Sequence, residues 1–489
     1  MNDGSNDGPR GAARELPLFV DLDGTLVKTD VFGEGILSLA RRRPFKLFLL
    51  PFWFAKGRNF TKIMVHRNAA IAVDRLPYNA PLLDHLREGK ARGRVIHLAT
   101  AAHRSVAARV ARHVDLFDTV IASDARSNVK GPKKLQKIMF HQQGAPFAYA
   151  GDSRADRPLW DAAEQCIFVD APASDIALAR EKGKVEMVLA TSSVSWMGLA
   201  KALRPHQWVK NLLLFVPLLT AHLYADRTAV LSAFLAFVAF CMCASALYIV
   251  NDLLDIEDDR RHPTKKSRPF AAGTASIAAG IALSPLLLIG GFALSLAFLP
   301  VAFAAILFVY CVTSLTYSLW LKRVSTVDVF ALAGLYTVRV IAGSAAIGVA
   351  SSYWLLAFSM FMFLSLAYVK RYTELDRLKE AGGDRLSGRG YAAVDLETTF
   401  ILGAVAGGLS VLVMALYINS PEVKLHYPSP QFLWAICPAI LYWNNRVWVG
   451  VRRGKIHDDP VLFALKDRVS MAVGAFCLAS IAAARFLQV

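Results

Sequence analysis

Hydrophobic and polar residues follow two different patterns along this chain, and the patterns meet near residues 195–205. Before the join, short apolar runs alternate with amphipathic, charged segments at globular density. After it come long apolar stretches at approximately 208–225, 229–250, 279–298, 299–321, 326–348, 352–369, 398–418, 430–445 and 468–487. At about 1.5 Å rise per residue, most of these are long enough to cross a bilayer. The pattern therefore predicts nine spans, with Pro300 marking the boundary between the third and fourth. In the first part, strand-like runs alternating with helical ones predict a doubly wound parallel α/β sheet. The expected organisation is a disordered tail over 1–15, an α/β domain over 16–192 with a cap at about 27–80, and an all-α nine-helix bundle over 193–489.

Composition agrees with that division. The 489 residues are 55% hydrophobic and carry a formal net charge of +17, with a mean hydropathy of +0.39. A soluble chain of this length would carry more charge and split into several cores, so these values imply a membrane protein with an attached soluble part. If the chain enters the bilayer from the cytoplasm, one face collects Arg260, Arg261, Lys265, Lys266 and Arg268, Lys322 and Arg323, Lys370, Arg371, Arg377, Lys379, Arg385 and Arg389, and the basic residues from Arg446 to Arg468. The opposite face holds little more than Arg227 and Lys424. That skew places the soluble part and the loop chemistry in the cytoplasm, at a bacterial inner membrane, and accounts for much of the charge without nucleic acid. The polar, Gly-rich start lacks the apolar core of a signal peptide. Six scattered cysteines imply no disulfide framework, and Cys241 and Cys243 read as small packing residues, not as a zinc site.

Three strand-like runs in the soluble part end in polar residues. LPLFVDLDGTLVKTD at 16–30 delivers Asp21 and Asp23, RVIHLATAA at 94–102 delivers Thr100, and PFAYAGDSRADRPLW at 146–160 delivers Asp152 and Asp156. NVKGPKKLQKI at 128–138 reads as a loop entering a helix and supplies Lys130, with Lys133 and Lys134 as rivals. In doubly wound sheets, ligands bind beyond the carboxyl ends of the strands. There a carboxylate can attack a phosphoryl group while a second, two residues on along an extended chain, protonates the leaving oxygen. Hydroxyl and ammonium groups hold the phosphoryl oxygens, and further acids complete a magnesium site.

The four pieces DLDGT, T, K and GDxxxD, in this order and spacing, resemble the haloacid-dehalogenase-like hydrolases over roughly residues 15–190. The resemblance implies Asp21 as nucleophile and Asp23 as general acid/base. It implies Thr100 and Lys130 as phosphate binders, and one Mg2+ held by Asp152 and Asp156 together with Asp21 and Asp23. In the cap position, RRRPFKLFLLPFWFAKGR at 41–58 has an apolar core too short to span, flanked by basic residues. It suits either a segment lying among lipid headgroups or a buried cap helix.

In the membrane part, NDLLDIEDDRRHPTKKSRP at 251–269 follows the second apolar run. Asn251, Asp252, Asp255 and Asp259 are three and four apart, which puts the three carboxylates on one face of a helix continuing out of that span. Such a cluster repels itself without cations, so magnesium on a diphosphate is its natural occupant. N-D-x-x-D-x-x-x-D resembles the UbiA superfamily of intramembrane prenyltransferases, over roughly 195–489. Ordinary members carry a second D-x-x-x-D after the sixth span. Here that motif is missing or moved to YSLWLKRVSTVDVF at 317–330, where Asp328 has no acidic neighbour four residues on.

RPHQWVKNLLLFVPLL, His262 in D-x-x-H, HPTKKSRPFAAG, YSLWLKRVSTVDV, YTVRVIAG, YVKRYTE and FALKDR together resemble the branch of decaprenyl-phosphate phosphoribosyltransferases. That resemblance implies phosphoribosyl pyrophosphate as donor and polyprenyl phosphate as acceptor. A donor bearing about five negative charges needs both a metal and cationic groups, and Lys210, Lys265, Lys266, Arg268, Lys322, Arg339, Lys370 and Arg371 are the candidates, with Asn251, His262 and Tyr317 as further substrate-binding residues that the resemblance implies. One or two Mg2+ on Asp252, Asp255 and Asp259 would neutralise the departing pyrophosphate, leaving Asp328 to stabilise the ribosyl cation or bind its hydroxyls. Arg339 stands out as a charge inside a span. A fused phosphatase could then remove the 5-phosphate, giving a bifunctional enzyme that makes polyprenyl-phosphoryl-ribose. The competing expectation is an aromatic prenyltransferase with a regulatory N-terminal domain. A homo-oligomer is compatible with either.

Overall fold

The computed structural model describes residues 15–487 apart from 125, 126, 191–194, 263, 387, 422, 424–426 and 457–459. The expected N-terminal tail, except Glu15, and Lys424 thus lie outside the described residues. The soluble part is built on six parallel strands: β1 (Leu18–Val20), β2 (Ile96–His103), β3 (Thr119–Ser123), β4 (Ala148–Gly151), β5 (Gln165–Val169) and β6 (Val185–Leu189). Their order is β3-β2-β1-β4-β5-β6, with Leu18 in register with Ile96 on one side and Ala148 on the other.

The strands are apolar on both faces because helices cover both. Leu18, Val20, Leu98 and Ala150 feed one core, and Phe19, Ala99, Tyr149 and Phe168 feed the other, the period of two that a pleated strand imposes. The chain reverses its direction of strand addition between β1 and β4. That switch point is where the carboxyl ends diverge and leave a crevice, and Asp21 and Asp152 are the residues that directly follow these two strands.

Seven helices among the described residues are long and apolar enough to cross a membrane: Arg227–Leu254, Ile277–Phe298, Val301–Leu319, Val327–Ala346, Tyr353–Glu380, Ala393–Ile418 and Arg468–Phe486. The expected count of nine is not reproduced, and the two differences share a cause. The first predicted span is a 3-10 segment, Pro205–Phe215, followed by a five-residue helix, Val216–Thr220. The eighth is a 3-10 turn, Pro430–Ala435, ahead of Ile436–Arg452, a helix of 17 residues. In both, a 3-10 segment that opens on proline takes up the first part of the run, and in the first of them Pro217 sits at the change from 3-10 to α geometry.

The chain forms two compact units. One comprises residues up to Leu203 together with Ile249–Leu283, and the other Arg204–Tyr248 with Ser284–Val489. The acidic loop expected to belong to the membrane bundle is therefore grouped with the α/β domain. Ion pairs hold it there: Arg41 to Glu257 (3.2 Å) and Asp258 (2.7 Å), Arg75 to Glu257 (3.4 Å), and Arg260 to Glu34 (2.6 Å).

Candidate active sites

At the switch point, Asp21, Asp152 and Asp156 each offer a carboxylate oxygen, and these lie within 4.8 Å of one another. Asp21 follows β1, and its Oδ1 accepts the Leu22 N–H at 2.7 Å. Gly24, at φ +79°, makes the tight turn that lets Asp152 approach: a Cβ at this position would lie 2.2 Å from Asp152 Oδ2. Thr25 donates to Asp152 at 3.3 Å. Asp156 is buried and accepts from the Tyr149 hydroxyl at 2.8 Å and from Ser153, which caps the same turn.

The lysine of this site is Lys134. Its buried Nζ donates to Asp21 (2.7 Å), Tyr149 (2.8 Å) and Asp156 (3.3 Å). Lys130, the first choice from sequence, lines the cavity without a contact of this kind. The physical reason lies in Gly131 and Pro132, which start the helix Pro132–Gln142 after Lys130, so that the residue one turn inside the helix points to the strand ends. Thr100 is fully buried, and its hydroxyl accepts the Ala102 N–H at 3.0 Å, while its neighbour Ala101 lines the cavity. Asp23 stands apart from the three-carboxylate group, and its Oδ1 accepts from Val31 N at 2.9 Å.

Electrostatics separate the roles. Burial pushes Asp23 up to about 8, with Asp30 and Asp21 adding repulsion, so it holds a proton at neutral pH. Burial also pushes Asp152 up to about 7, reinforced by Asp21 and Asp156. Three carboxylates with one ammonium leave surplus negative charge in a confined volume, and the donor set is all hard oxygen. These residues fit a magnesium ion.

The cavity in front of them measures about 370 Å3. Lys28, Thr29, Phe32 and Lys62 close it from the cap side, and Ala275, Ser276, Ile277 and Ala278 form a further wall. Those last residues open the membrane helix Ile277–Phe298. Nothing in the sequence pattern placed them beside the phosphatase motifs.

The acidic loop is arranged differently. The helix Arg227–Leu254 is interrupted at Asp255 before a short helix, Ile256–Arg261, in place of the expected continuous helix. Asp252 and Asp259 are buried and both accept from Arg268 Nη1, at 3.2 and 2.7 Å. Among the described residues, Asp252, Asp255 and Asp259 do not form a group with ligand atoms mutually within 4.8 Å. In this arrangement two of the acids are engaged by one guanidinium. Asn251 sits half-buried in the last turn of the span, its carbonyl accepting Asp255 N–H. His262 caps the short helix and accepts from Thr264 N–H at 3.3 Å, and Lys265 and Lys266 are exposed.

In the other unit, fully buried Asp328 pairs with Arg371 at 2.8 Å, accepts from the Tyr391 hydroxyl at 2.7 Å, and lies 3.7 Å from Arg389. Arg371 and Arg389 in turn bind Glu374, and Arg389 donates to the Tyr317 hydroxyl at 3.3 Å. A charge-balanced network thus stands where a second acidic pair was sought. Arg389, Glu374 and Tyr391 were missed because they are distant in sequence from Asp328. Lys322 lies on the turn Leu321–Arg323, and Lys370 is half-buried beside Arg371. Lys210 Nζ lies over the Tyr336 ring, 5.6 Å from its centroid. Arg339 is buried and donates to Asn211 (2.9 Å), Tyr310 (3.2 Å) and the Leu335 carbonyl, with its guanidinium about 5 Å from the ring centroids of Phe240 and Tyr310. Those contacts satisfy Arg339 as a packing element of the span.

Comparison with known proteins adds to this geometry. Residues 214–465 match the UbiA prenyltransferase family, and residues 18–161 match haloacid dehalogenase-like hydrolase. An uncharacterized protein, y4nM, of Sinorhizobium fredii is 37% identical over 467 residues, covering 94% of this chain and 90% of its own. Nodulation protein NoeC of Azorhizobium caulinodans is 34% identical, covering 57% of this chain and 91% of its own. Decaprenyl-phosphate phosphoribosyltransferase of Mycolicibacterium smegmatis is 32% identical, covering 60% of this chain and 93% of its own.

Proposed function

Because this chain belongs to the UbiA prenyltransferase family and carries a haloacid dehalogenase-like hydrolase domain, a multi-pass membrane enzyme with two chemistries, we propose that it runs them in sequence on one lipid. The first step transfers 5-phosphoribose from phosphoribosyl pyrophosphate to a polyprenyl phosphate, releasing pyrophosphate. The second removes the 5-phosphate, leaving polyprenyl-phosphoryl-ribose. The observation that carries this reading is the wall of the phosphatase cavity: Ala275–Ala278, at the start of a membrane helix, face the same space as Asp21 and Asp23. A phosphatase for a freely soluble ester has no need of a membrane helix in its cavity.

In the second step Asp21 attacks phosphorus and the ribose O5 leaves, taking the proton that Asp23 holds. Water then attacks the aspartyl phosphate, with Asp23, now a carboxylate, receiving its proton. Burial raises the Asp21 carboxyl, and Lys134, donating to it at 2.7 Å, opposes that rise and orients it. Magnesium bound by Asp21, Asp152 and Asp156 would neutralise charge on the transferring phosphoryl group. For the first step, Lys265 and Lys266 supply cationic groups for the phosphates of the donor, His262 adds an imidazole, and Arg268 is the cationic group already at Asp252 and Asp259. Both sites are assigned to the cytoplasmic face of a bacterial inner membrane, where phosphoribosyl pyrophosphate is available.

The test is incubation of purified protein with ribose-labelled phosphoribosyl pyrophosphate and decaprenyl phosphate. Label in the lipid fraction is expected. Label absent from that fraction, with prenylation of an aromatic acceptor in its place, would reject the proposal.

A further inference from the structure

The cap carries an exposed apolar prong. Phe45 and Phe48 are 84% and 82% exposed, and Leu49, Phe52 and Phe54 are also exposed. They lie on the 3-10 segment Pro44–Leu49 and the short helix Leu50–Ala55. The prong is folded, because Trp53, Leu47 and Leu50 pack inward with Leu39, Val65 and Phe60. Only one face is left uncovered. Arg42 and Arg43 precede the segment and are exposed, and the exposed Lys56 at its end places its ammonium over Phe52, 4.6 Å from the ring centroid.

The position of the prong is fixed at two points. The helix Val31–Arg42 leads directly into it, and near the start of that helix Gly33 is packed on Ile277, where a membrane helix begins: an added Cβ would lie 3.1 Å from Ile277 Cγ2. At the far end of the same helix, Arg41 pairs with Glu257 and Asp258, three and four residues after the membrane helix Arg227–Leu254 ends. Phe45 therefore follows, by four residues, a side chain held at a membrane exit.

From this we infer that residues 43–56 lie in the interfacial layer of the bilayer, with Phe45, Phe48 and Phe52 among the upper acyl chains and the basic residues at anionic lipid phosphates. Resting on the proposed function, the prong holds the cavity mouth at the membrane, so that the phosphatase takes a lipid-borne phosphate monoester. A buried cap helix, the alternative open from sequence, is excluded by the exposure of the three phenylalanines.

The test uses the full chain in nanodiscs of phosphatidylcholine and phosphatidylglycerol, with a nitroxide at Phe48→Cys or, as control, at Lys133→Cys on the exposed side of the α/β domain. The label at 48 is expected to collide with oxygen and be shielded from a water-soluble nickel chelate, and the label at 133 to show the reverse. Equal chelate access at both positions would overturn the inference. So would spin–spin broadening between two chains at position 48, which would place a second copy on the prong. In a second arm, Phe45→Glu/Phe48→Glu/Phe52→Glu is expected to raise KM for the lipid-borne monoester about tenfold or more, with p-nitrophenyl phosphate turnover unchanged. An unchanged KM for the lipid would remove the proposed role. If the parent enzyme hydrolyses no lipid-borne ester, the proposed function fails while the nitroxide result still decides where the prong lies.

Discussion

The α/β switch point and the acidic loop both began as aspartate motifs, yet the structure treats them in opposite ways. At the switch point Asp21, Asp152 and Asp156 converge within 4.8 Å around one lysine, and the site keeps surplus negative charge. In the loop, Asp252 and Asp259 share Arg268, while Glu257 and Asp258 are spent on Arg41 and Arg75 of the α/β domain. The first arrangement is imposed by strands that cannot move independently. The second is a helix end whose charges are met by whatever cations lie near. Sequence spacing suggested a metal at both places, and at the sheet ends the three carboxylates converge in space.

The largest expected effect separates the two reactions. Asp21→Asn should lower phosphate release by about 10³-fold or more and leave lipid labelling intact, since it removes a nucleophile and no transferase group. Asp259→Asn should do the converse, lowering lipid labelling by about 10²-fold with phosphate release from a supplied lipid ester unchanged. Next in size, Lys134→Ala should cost about 10²-fold in phosphate release, against less than about threefold for Lys130→Ala. Equal losses would undo the assignment of the buried lysine.

A smaller effect tests whether the ion pair between the acidic loop and the cap matters for function. Arg260→Ala leaves Glu34 buried without its guanidinium, and Glu34 also receives the Thr29 hydroxyl from the cavity wall. Lipid still carrying the 5-phosphate should accumulate several-fold in product analysis, with lipid labelling little changed. The smallest effect lies far from both sites. Burial opposes charge on Glu186, but Arg94 and His85 outweigh it and hold the carboxyl down to about 2. Because the folded value is depressed, its stabilisation is complete above the ordinary 4.5 and is lost as pH falls toward about 2. Hydrogen exchange at β6 should speed up in that window, and Glu186→Gln should abolish the dependence.

Much of the α/β half was legible from sequence. Alternating apolar strands ending in acids placed Asp21 and Asp152 at one sheet edge, and only the phase of the helix after Gly131 decided between Lys130 and Lys134. The membrane half was legible in its hydropathy but not in its joins: 3-10 segments at Pro205–Phe215 and Pro430–Ala435 shorten the helices in apolar runs that hydropathy alone counts as spans. Least legible was what depends on contacts between distant segments. Arg371, Arg389 and Tyr391 meet Asp328, and Glu374 balances the two arginines, without a spacing rule, and a buried guanidinium in a span, Arg339, donates to Asn211, 128 positions away.

The central claim is that one chain first adds phosphoribose to a lipid and then removes its phosphate. Phosphoribosyl pyrophosphate carrying 14C in the ribose and 32P in the 5-phosphate, supplied with decaprenyl phosphate, tests it in one reaction. The parent enzyme should give lipid bearing 14C alone with 32P as inorganic phosphate, and Asp21→Asn should give lipid bearing both labels. Lipid with both labels from the parent, or no labelled lipid from either, would contradict the account.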